Sequence, residues 1–424
     1  MVVTATDPRS AIEAVFRIEQ AKLIACLMRI ARDVGLAEEL AQDAFLAALE
    51  QWQRNGIPDN PGAWLLATAK NRAIDRFRRA KLIDRKHAEL AGEQSIFGES
   101  EAPDLDAALD DEIGDELLRL MFISCHPILG RDAQVALTLR LIGGLKTEEI
   151  ARAFLVPEPT IAQRIVRAKR TLAEKRVAFE VPRGEELSER LASVLAVIYL
   201  VFNEGYSATA GPDWMRPQLC EDALRLGRIL AGLIADEPEV HGLVSLMELQ
   251  ASRLGARMGP QGEPILLLDQ NRARWDRLFI RRGLTALERA QSLTQSRGPY
   301  ALQAAIAACH ARASTAGETD WAQIVGLYGE LGRIMPSPIV ELNRAVALSM
   351  HMGPEAGLRI VDALATEPIL KGYHLLPSVR GDLLVKLGRN AEARAEFIRA
   401  ASLTQNAQEQ TLLLKRATDC AASI

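Results

Sequence analysis

A run of basic side chains between residues 158 and 176 is the part of this chain best suited to bind a polyanion. The bases are Arg164, Arg167, Lys169, Arg170, Lys175 and Arg176. Apolar residues recur every three or four positions on the other side of the same stretch, at Ile161, Ile165, Ala168 and Leu172. This period predicts a helix with one buried and one basic face. Guanidinium and ammonium groups bind phosphate, so the exposed face could hold nucleic acid.

A shorter helix is predicted just before the basic one. Thr147 is expected as its N-cap, with Glu148 and Glu149 in the first turn. The chain breaks at 155–157, and a second helix opens near Glu158 and Pro159, where proline suits a first-turn position. The pattern predicts a helix-turn-helix whose second helix can enter the major groove of DNA. The same geometry also occurs in helical bundles whose basic face is only solvated. This pattern alone therefore does not distinguish a DNA-binding motif from such a bundle, and other parts of the chain are needed.

Charge is segregated along the chain, although the net charge is only −4. Residues 70–86 carry eight bases against two acids, or +6, while residues 88–116 carry eleven acids and no lysine or arginine. This abrupt change of sign predicts separate tasks for neighbouring segments. The acidic stretch 88–112 has few bulky apolar residues and a proline, and is predicted to be a flexible linker.

Cysteine usage and hydropathy exclude several classes of protein. The five cysteines are scattered without a Cys-x-x-Cys pair, which predicts buried thiols and neither a metal site nor a disulfide framework. No signal peptide and no apolar run of about 18 residues is present, which predicts a cytoplasmic chain with no membrane contact. No cofactor motif is recognised.

Helical periodicity dominates, and the predicted fold class is all-α. Helices are expected over Ser10–Asp33, over Leu36–Trp52 and from about Asn60 to Arg79 or beyond, with a Gly- and Pro-containing loop at 54–62. Residues 187–424 read as Ala- and Leu-rich helices. Met352-Gly353 and Leu387-Gly388 lie 35 residues apart, each between two helical stretches. That interval is close to the period of tetratricopeptide (TPR) helix pairs, so residues 320–420 are predicted to be TPR-like.

Three stretches, in this order, resemble bacterial RNA polymerase sigma factors of the extracytoplasmic-function type. They are Glu38–Phe45, Pro61–Arg79 and Leu145–Lys169. In that family they are the polymerase-binding helix, the promoter-melting helix and the reader of the upstream promoter element. The resemblance implies sigma region 2 at 1–87, the acidic linker at 88–112, and region 4 with its helix-turn-helix at 113–180. A helical C-terminal extension follows at 187–424.

The resemblance also implies roles for individual residues. Polymerase binding would use Glu39, Gln42 and Asp43. The minus-ten element would be bound by Lys70, Asn71, Arg72, Asp75, Arg76, Arg78 and Arg79, with Asn71 at a position that touches a flipped base. The minus-thirty-five element would be bound by Thr160, Gln163, Arg164, Arg167, Lys169 and Arg170. The chain departs from the family pattern in the loop 54–62, which has no aromatic residue. It also departs at Ala162 and Val166, where the family often has a basic or aromatic residue. The resemblance therefore does not imply which promoter sequence this chain would recognise.

The C-terminal extension resembles that of a sigma-factor subgroup with a TPR-like tail. Asn203–Tyr206 and Asp269–Asp276 match fixed elements of that subgroup. Glu204 and Asp269 could also be read as catalytic carboxylates of an enzyme, but no nucleophile and base accompany them. The tail is instead expected to bind a peptide, a protein or its own DNA-binding half, and to regulate the factor in cis.

The function expected from the sequence is therefore non-enzymatic. A sigma factor would bind core RNA polymerase and promoter DNA, and its tail would regulate or support that activity. The alternative is a free-standing helix-turn-helix regulator of transcription with a ligand- or protein-sensing helical domain, which would not need the polymerase-binding helix.

Overall fold

The computed structural model describes residues 8–91, 113–260 and 262–422. The regular secondary structure of these residues is almost entirely helical, with one sheet of two short strands, which confirms the predicted all-α class. The described residues up to Val197 form one compact unit, and those from Ile198 onward form a second. No helix in the described part of the chain combines the length and apolar character needed to span a membrane.

The N-terminal unit begins with a bundle of three helices. They are α1 (Pro8–Ala31), α2 (Val34–Asn55) and α3 (Pro61–Ala91). Asp33 caps α2 by accepting a hydrogen bond from the Leu36 amide at 2.8 Å. Asn60 does the same for α3 through the Ala63 amide at 3.1 Å, and Pro61 takes the first helical position.

Helix α3 is longer than the sequence pattern required. It continues to Ala91, so the first four positions of the predicted linker 88–112 are helical. The remaining linker residues, 92–112, lie outside the described residues. Residues 80–91 are rich in alanine, leucine, lysine, arginine and glutamate, all of which have good helix propensity. The helix therefore continues past residue 88, where the sign of the charge changes.

The second half of the N-terminal unit contains four more helices and the start of a fifth. They are α4 (Ile113–Ser124), α5 (Arg131–Leu141), α6 (Thr147–Ala153), α7 (Glu158–Glu174) and α8 (Glu185–Tyr206). The early part of α8 belongs to this unit, because Ser193 donates a hydrogen bond to the Cys125 carbonyl at 3.0 Å and Arg190 donates one to the Phe122 carbonyl at 3.1 Å. The boundary between the two compact units therefore lies inside α8, at 197–198.

The C-terminal unit continues with ten α-helices in the described residues after α8. They are α9 (Pro217–Leu233), α10 (Pro238–Ala251), α11 (Arg277–Leu293), α12 (Pro299–Arg312), α13 (Trp321–Ile334), α14 (Pro338–Met352), α15 (Pro354–Leu364), α16 (Leu375–Lys386), α17 (Asn390–Leu403) and α18 (Ala407–Ala422). Two buried cores hold them together, one centred on α10–α13 and one on α14–α18.

Glycine ends the first helix of each predicted repeat. Gly353 joins α14 to α15 with φ +96°, and Gly388 lies between α16 and α17 with φ +73°. This left-handed backbone favours glycine, which explains its recurrence after Met352 and Leu387. The two helix pairs thus coincide with the repeat seen in the sequence, while the TPR-like assignment stays a prediction.

A short parallel sheet connects the beginning and the end of the C-terminal unit. Strand β1 (Ala210–Gly211) pairs with β2 (Gln405–Asn406). The buried Asn406 side chain donates hydrogen bonds to the carbonyls of Ala208 at 3.0 Å and Asp213 at 2.8 Å. Its Oδ1 also accepts bonds from the Gln408 and Glu409 amides, at 3.1 and 3.2 Å.

Candidate nucleic-acid interface

Helices α6 and α7 form the predicted helix-turn-helix. The Glu149 carboxylate accepts a hydrogen bond from the Lys146 amide at 2.7 Å, which holds the start of α6. The cap position is Lys146, whose backbone is extended, and not Thr147 as predicted, because Thr147 is already helical. The tight turn that follows passes through Leu155, which has φ +52°.

The apolar face of α7 is buried at all four predicted positions, Ile161, Ile165, Ala168 and Leu172. On its other side Gln163, Arg167 and Arg170 are exposed, whereas Thr160, Arg164 and Lys169 are half-buried. Arg164 pairs with Asp132 of α5 at 2.9 Å, and Arg170 pairs with Glu174 at 2.6 Å. Val166, one of the departures from the family pattern, is 63% exposed between these bases.

The basic part of α3 offers a second row of polar side chains. Asn71, Asp75, Arg76, Arg78 and Arg79 are exposed, and Lys70 and Arg72 are half-buried. The remaining bases of the cluster, Lys81, Arg85 and Lys86, have side chains outside the described set. Trp64 packs edge-on against Trp52, with 5.1 Å between the ring centroids.

The residues predicted to bind polymerase lie beside this row. On α2, Glu39 and Gln42 are exposed and Asp43 is half-buried. Arg76 pairs with Glu39 at 2.8 Å and Arg72 pairs with Asp43 at 3.6 Å. The hydrogen bond to Glu39 raises the pKa of the Arg76 guanidinium. Ion pairs as exposed as these contribute about 0–1 kcal/mol, so a phosphate or a protein partner can replace them at little cost.

A buried carboxylate that the sequence analysis did not single out connects α2 with α5 and α7. Glu38 accepts hydrogen bonds from Arg140 Nε at 2.7 Å and from Gln42 Nε2 at 3.0 Å, and it forms an ion pair with Lys169. We call these four residues the Glu38 cluster. Burial alone would raise the pKa of Glu38, but Lys169 and Arg140 lower it below the ordinary value.

The sequence contained a signal for this cluster. Glu38 interrupts an otherwise apolar stripe of α2 that includes Val34, Ala37 and Ala41, all buried. A carboxylate at such a position needs a cationic partner. In this arrangement Lys169, predicted to bind DNA, is engaged with α2, and the cleft of about 280 Å³ beside it also contains Glu39, Gln42 and Val166.

The two carboxylates considered as catalytic groups have different surroundings. Glu204 is buried, pairs with Arg216 and accepts a hydrogen bond from the Thr209 hydroxyl at 2.9 Å, so it holds the turn after α8. Asp269 is exposed in a short 3-10 turn at Leu267–Asp269. Within the described ranges, no group of three or more His, Cys, Asp or Glu side chains is arranged to hold a metal ion.

Three segments of the chain match known protein families. Residues 15–83 match the family described as Sigma-70 region 2, and residues 119–172 match Sigma-70, region 4. Residues 190–291 match a family of unknown function, DUF6596.

Whole proteins similar to this chain fall into two groups. Uncharacterized protein R00370 of Rhizobium meliloti is 44% identical over 388 residues, which cover 90% of this chain and 89% of that protein. The probable ECF RNA polymerase sigma factor SigI of Mycobacterium tuberculosis is 27% identical over 40% of this chain and 57% of its own length. The ECF RNA polymerase sigma factor SigK of Mycobacterium ulcerans is 33% identical over 34% of this chain and 74% of its own length. With regions 2 and 4 both matched in order, the chain belongs to the ECF RNA polymerase sigma factors and has a sigma-factor role in promoter-directed transcription.

Proposed function

We propose that this sigma factor docks on core RNA polymerase through α2, opens promoter DNA with α3 and reads an upstream promoter element with α7. The observation that carries the proposal is the pair of basic, exposed helix faces, one in each matched sigma region. Two such faces can grip a duplex at two separate places, since phosphate contacts supply most of the affinity and fix the register.

The proposed docking residues are Glu39, Gln42 and Asp43. Their acidic and amide groups suit a basic or polar partner surface, and the ion pairs that now hold Glu39 and Asp43 are weak enough to exchange. Because Arg76 and Arg72 make those pairs, docking on polymerase would also release two bases of α3 towards DNA.

The proposed DNA contacts divide by chemistry. On α3 the bases Arg76, Arg78 and Arg79 would bind phosphates, while Asn71, an exposed amide, would hydrogen-bond the edge of an unstacked base. On α7 Gln163 would read a base edge and Arg167 would contact phosphate.

Run-off transcription with purified core polymerase tests the docking step. The double variant Gln42→Ala, Asp43→Ala should lose co-elution with core enzyme and promoter-dependent transcripts. Glu50→Ala, a change at an exposed position of the same helix, should behave as the parent protein. A free-standing regulator would keep its activity in the double variant, and that result would reject the sigma assignment of α2.

We further propose that the C-terminal unit regulates the factor in cis. Covalent attachment supports this, because a tethered domain acts at an effective concentration of about millimolar. Stacked helix pairs also offer extended surfaces for peptides and proteins. A truncated chain should end after Val197 rather than near 186, so that Arg190 and Ser193 keep their hydrogen bonds to Phe122 and Cys125. Equal transcription, with equal regulation, from the full and truncated chains would refute regulation in cis.

A further inference from the structure

The C-terminal unit contains a cavity of about 420 Å³ that the sigma-factor assignment does not use. It is bordered by α10, α12, α13 and α14, together with Tyr199 of α8. Helices α10 and α12 meet so closely near their N-termini that a Cβ on Gly242 would lie 2.7 Å from the Ala301 nitrogen. The cavity lies further along these helices, and its volume falls within the range of small-molecule sites.

The lining of the cavity combines an apolar body with a polar end. Leu246, Ile306, Leu331 and Val340 supply apolar surface, and Tyr199 and Tyr328 supply aromatic surface. Met335, Ile339 and Asn343 line it as exposed residues and mark the side that opens to solvent. Among the described lining residues there is one arginine and no aspartate or glutamate.

That arginine, Arg253, has no ionic partner within the described chain. No described carboxylate lies within 4.0 Å of it, and its Nε has no hydrogen-bond partner although it is buried. Its guanidinium lies over the rings of Tyr206 at 5.7 Å and Trp275 at 5.8 Å, which fix its position. A buried guanidinium donor without an acceptor is costly, and an anion in the cavity would satisfy it.

His310 lies in the same lining and is also incompletely satisfied. It is buried, and its Nδ1 has no hydrogen-bond partner. Burial, together with the charges of Arg253 and Arg272, lowers the pKa of His310 to about 3. The imidazole is therefore neutral near pH 7 and can serve as a hydrogen-bonding group, but not as a second charge.

The second arginine near His310, Arg272, uses both terminal amino groups at the end of α12, and only its Nε has no partner. Arg272 donates to the carbonyls of His310 and Ala313, both at 2.7 Å, and to the Thr319 hydroxyl at 2.9 Å. It caps the C-terminal end of α12, where a cation is favoured. Arg272 does not line the cavity, so among the described lining residues Arg253 is the arginine that can meet a ligand.

We propose that this cavity binds a small organic monocarboxylate with an apolar or aromatic body, its carboxylate held by Arg253 and its body packed among the leucine, isoleucine and tyrosine side chains. A carboxylate only accepts hydrogen bonds, so Gln250 through its Nε2 hydrogens and His310 in its Nδ1–H tautomer would complete the polar contacts as donors. A single arginine with neutral neighbours suits a monoanion better than a phosphate dianion, and the apolar walls suit a carbon body. The site goes beyond the proposed function and does not depend on it, because binding can be measured without transcription.

Isothermal titration calorimetry on the full-length chain tests the proposal directly. Phenylacetate and hexanoate are the carboxylate probes, with phenylacetamide as the neutral isostere and inorganic phosphate as the anion without a body. The carboxylates should bind at least about tenfold more tightly than the amide and phosphate, since hydrogen bonds to charged groups are the stronger ones. Failure of both carboxylates to bind, or equal binding of amide and carboxylate, would overturn the proposal.

Three variants locate the binding in this cavity. Arg253→Met removes the charge and should weaken phenylacetate binding about tenfold or more, whereas Arg359→Met, at an exposed position of α15, should leave it unchanged. Ala307→Phe fills the cavity with a ring and should abolish binding while Arg253 stays in place. Circular dichroism melting of each variant checks folding. If Ala307→Phe is folded and still binds phenylacetate as the parent does, the cavity is not the site.

Discussion

Removing the charge of Glu38 should loosen the hold of α2 on α7. Its carboxylate is almost wholly buried and accepts charge-assisted hydrogen bonds from Arg140 and Lys169. Each such bond contributes about 1.5–3 kcal/mol, and removing one partner of a buried pair costs about 3–5 kcal/mol. The two bases are 20% and 21% exposed and regain some hydration, so we expect Glu38→Gln to cost about 2–4 kcal/mol.

Hydrogen exchange measured by mass spectrometry resolves this change locally. If α7 exchanges by separation from α2, Glu38→Gln should speed exchange of α7 peptides roughly 30- to 900-fold, from about 1.36 kcal/mol per factor of ten. Glu174→Gln is the matched control, because it breaks the Arg170 pair on the exposed side of the same helix. Equal exchange of α7 in the two variants would refute the reasoning.

The pH dependence of hydrogen exchange in α7 tests the same contact a second way. The pKa of Glu38 is lowered on folding, so its stabilising effect is complete above the ordinary value of 4.5 and is lost as the pH falls through the folded-state value. Protection of α7, corrected for the intrinsic exchange rate, should therefore fall below pH 4.5 in the parent chain. In Glu38→Gln this part of the pH dependence should be absent.

Three other outcomes are expected. In a promoter-binding titration, the binding constant falls as the salt concentration rises, and Arg167→Ala should make the slope of log binding constant against log salt concentration shallower by about 0.9. Gln163→Ala should leave this slope unchanged and weaken discrimination at one base pair. Ellman's reagent should modify the half-buried Cys26 before Cys125 and Cys220, because burial raises their pKa values to about 11 and about 12; equal rates would contradict this. Asn406→Ala should lower the unfolding free energy of the C-terminal unit by about 2–4 kcal/mol in urea. Asn406→Asp should cost at least as much, because its second oxygen cannot donate to the Ala208 and Asp213 carbonyls and its charge would be buried.

Periodicity predicted the parts of the fold that depend on local sequence. Apolar residues repeated at helical spacing predicted the buried face of α7. The recurring glycines 353 and 388 marked helix ends, where the structure has left-handed backbone. The family resemblance added the order of regions 2 and 4, which the comparisons confirm. The local sequence did not predict where α3 ends, because charged residues are common both in a helix and in a linker.

Features that depend on distant residues were not accessible in the same way. Glu38 and Lys169 are separated by 131 positions, and only the folded unit brings them together. The cavity in the C-terminal unit draws on Tyr199, Arg253, His310 and Tyr328 from four separate segments. Tyr199, His310 and Tyr328 look like ordinary members of amphipathic helices, and Arg253 looks like an ordinary basic residue in a turn, so none of them stands out in its local sequence.

The pairing of β1 with β2 makes the C-terminal unit a closed cooperative structure rather than a chain of interchangeable parts. Asn406 reaches the Ala208 carbonyl across a sequence separation of 198 residues. During synthesis the segment before α9 must wait for nearly the whole remaining chain before this contact can form, and such distant pairings slow folding. Shortening the protein from its C-terminus should therefore disturb the first helices of this unit as well as the last, so deletion series cannot be interpreted one helix pair at a time.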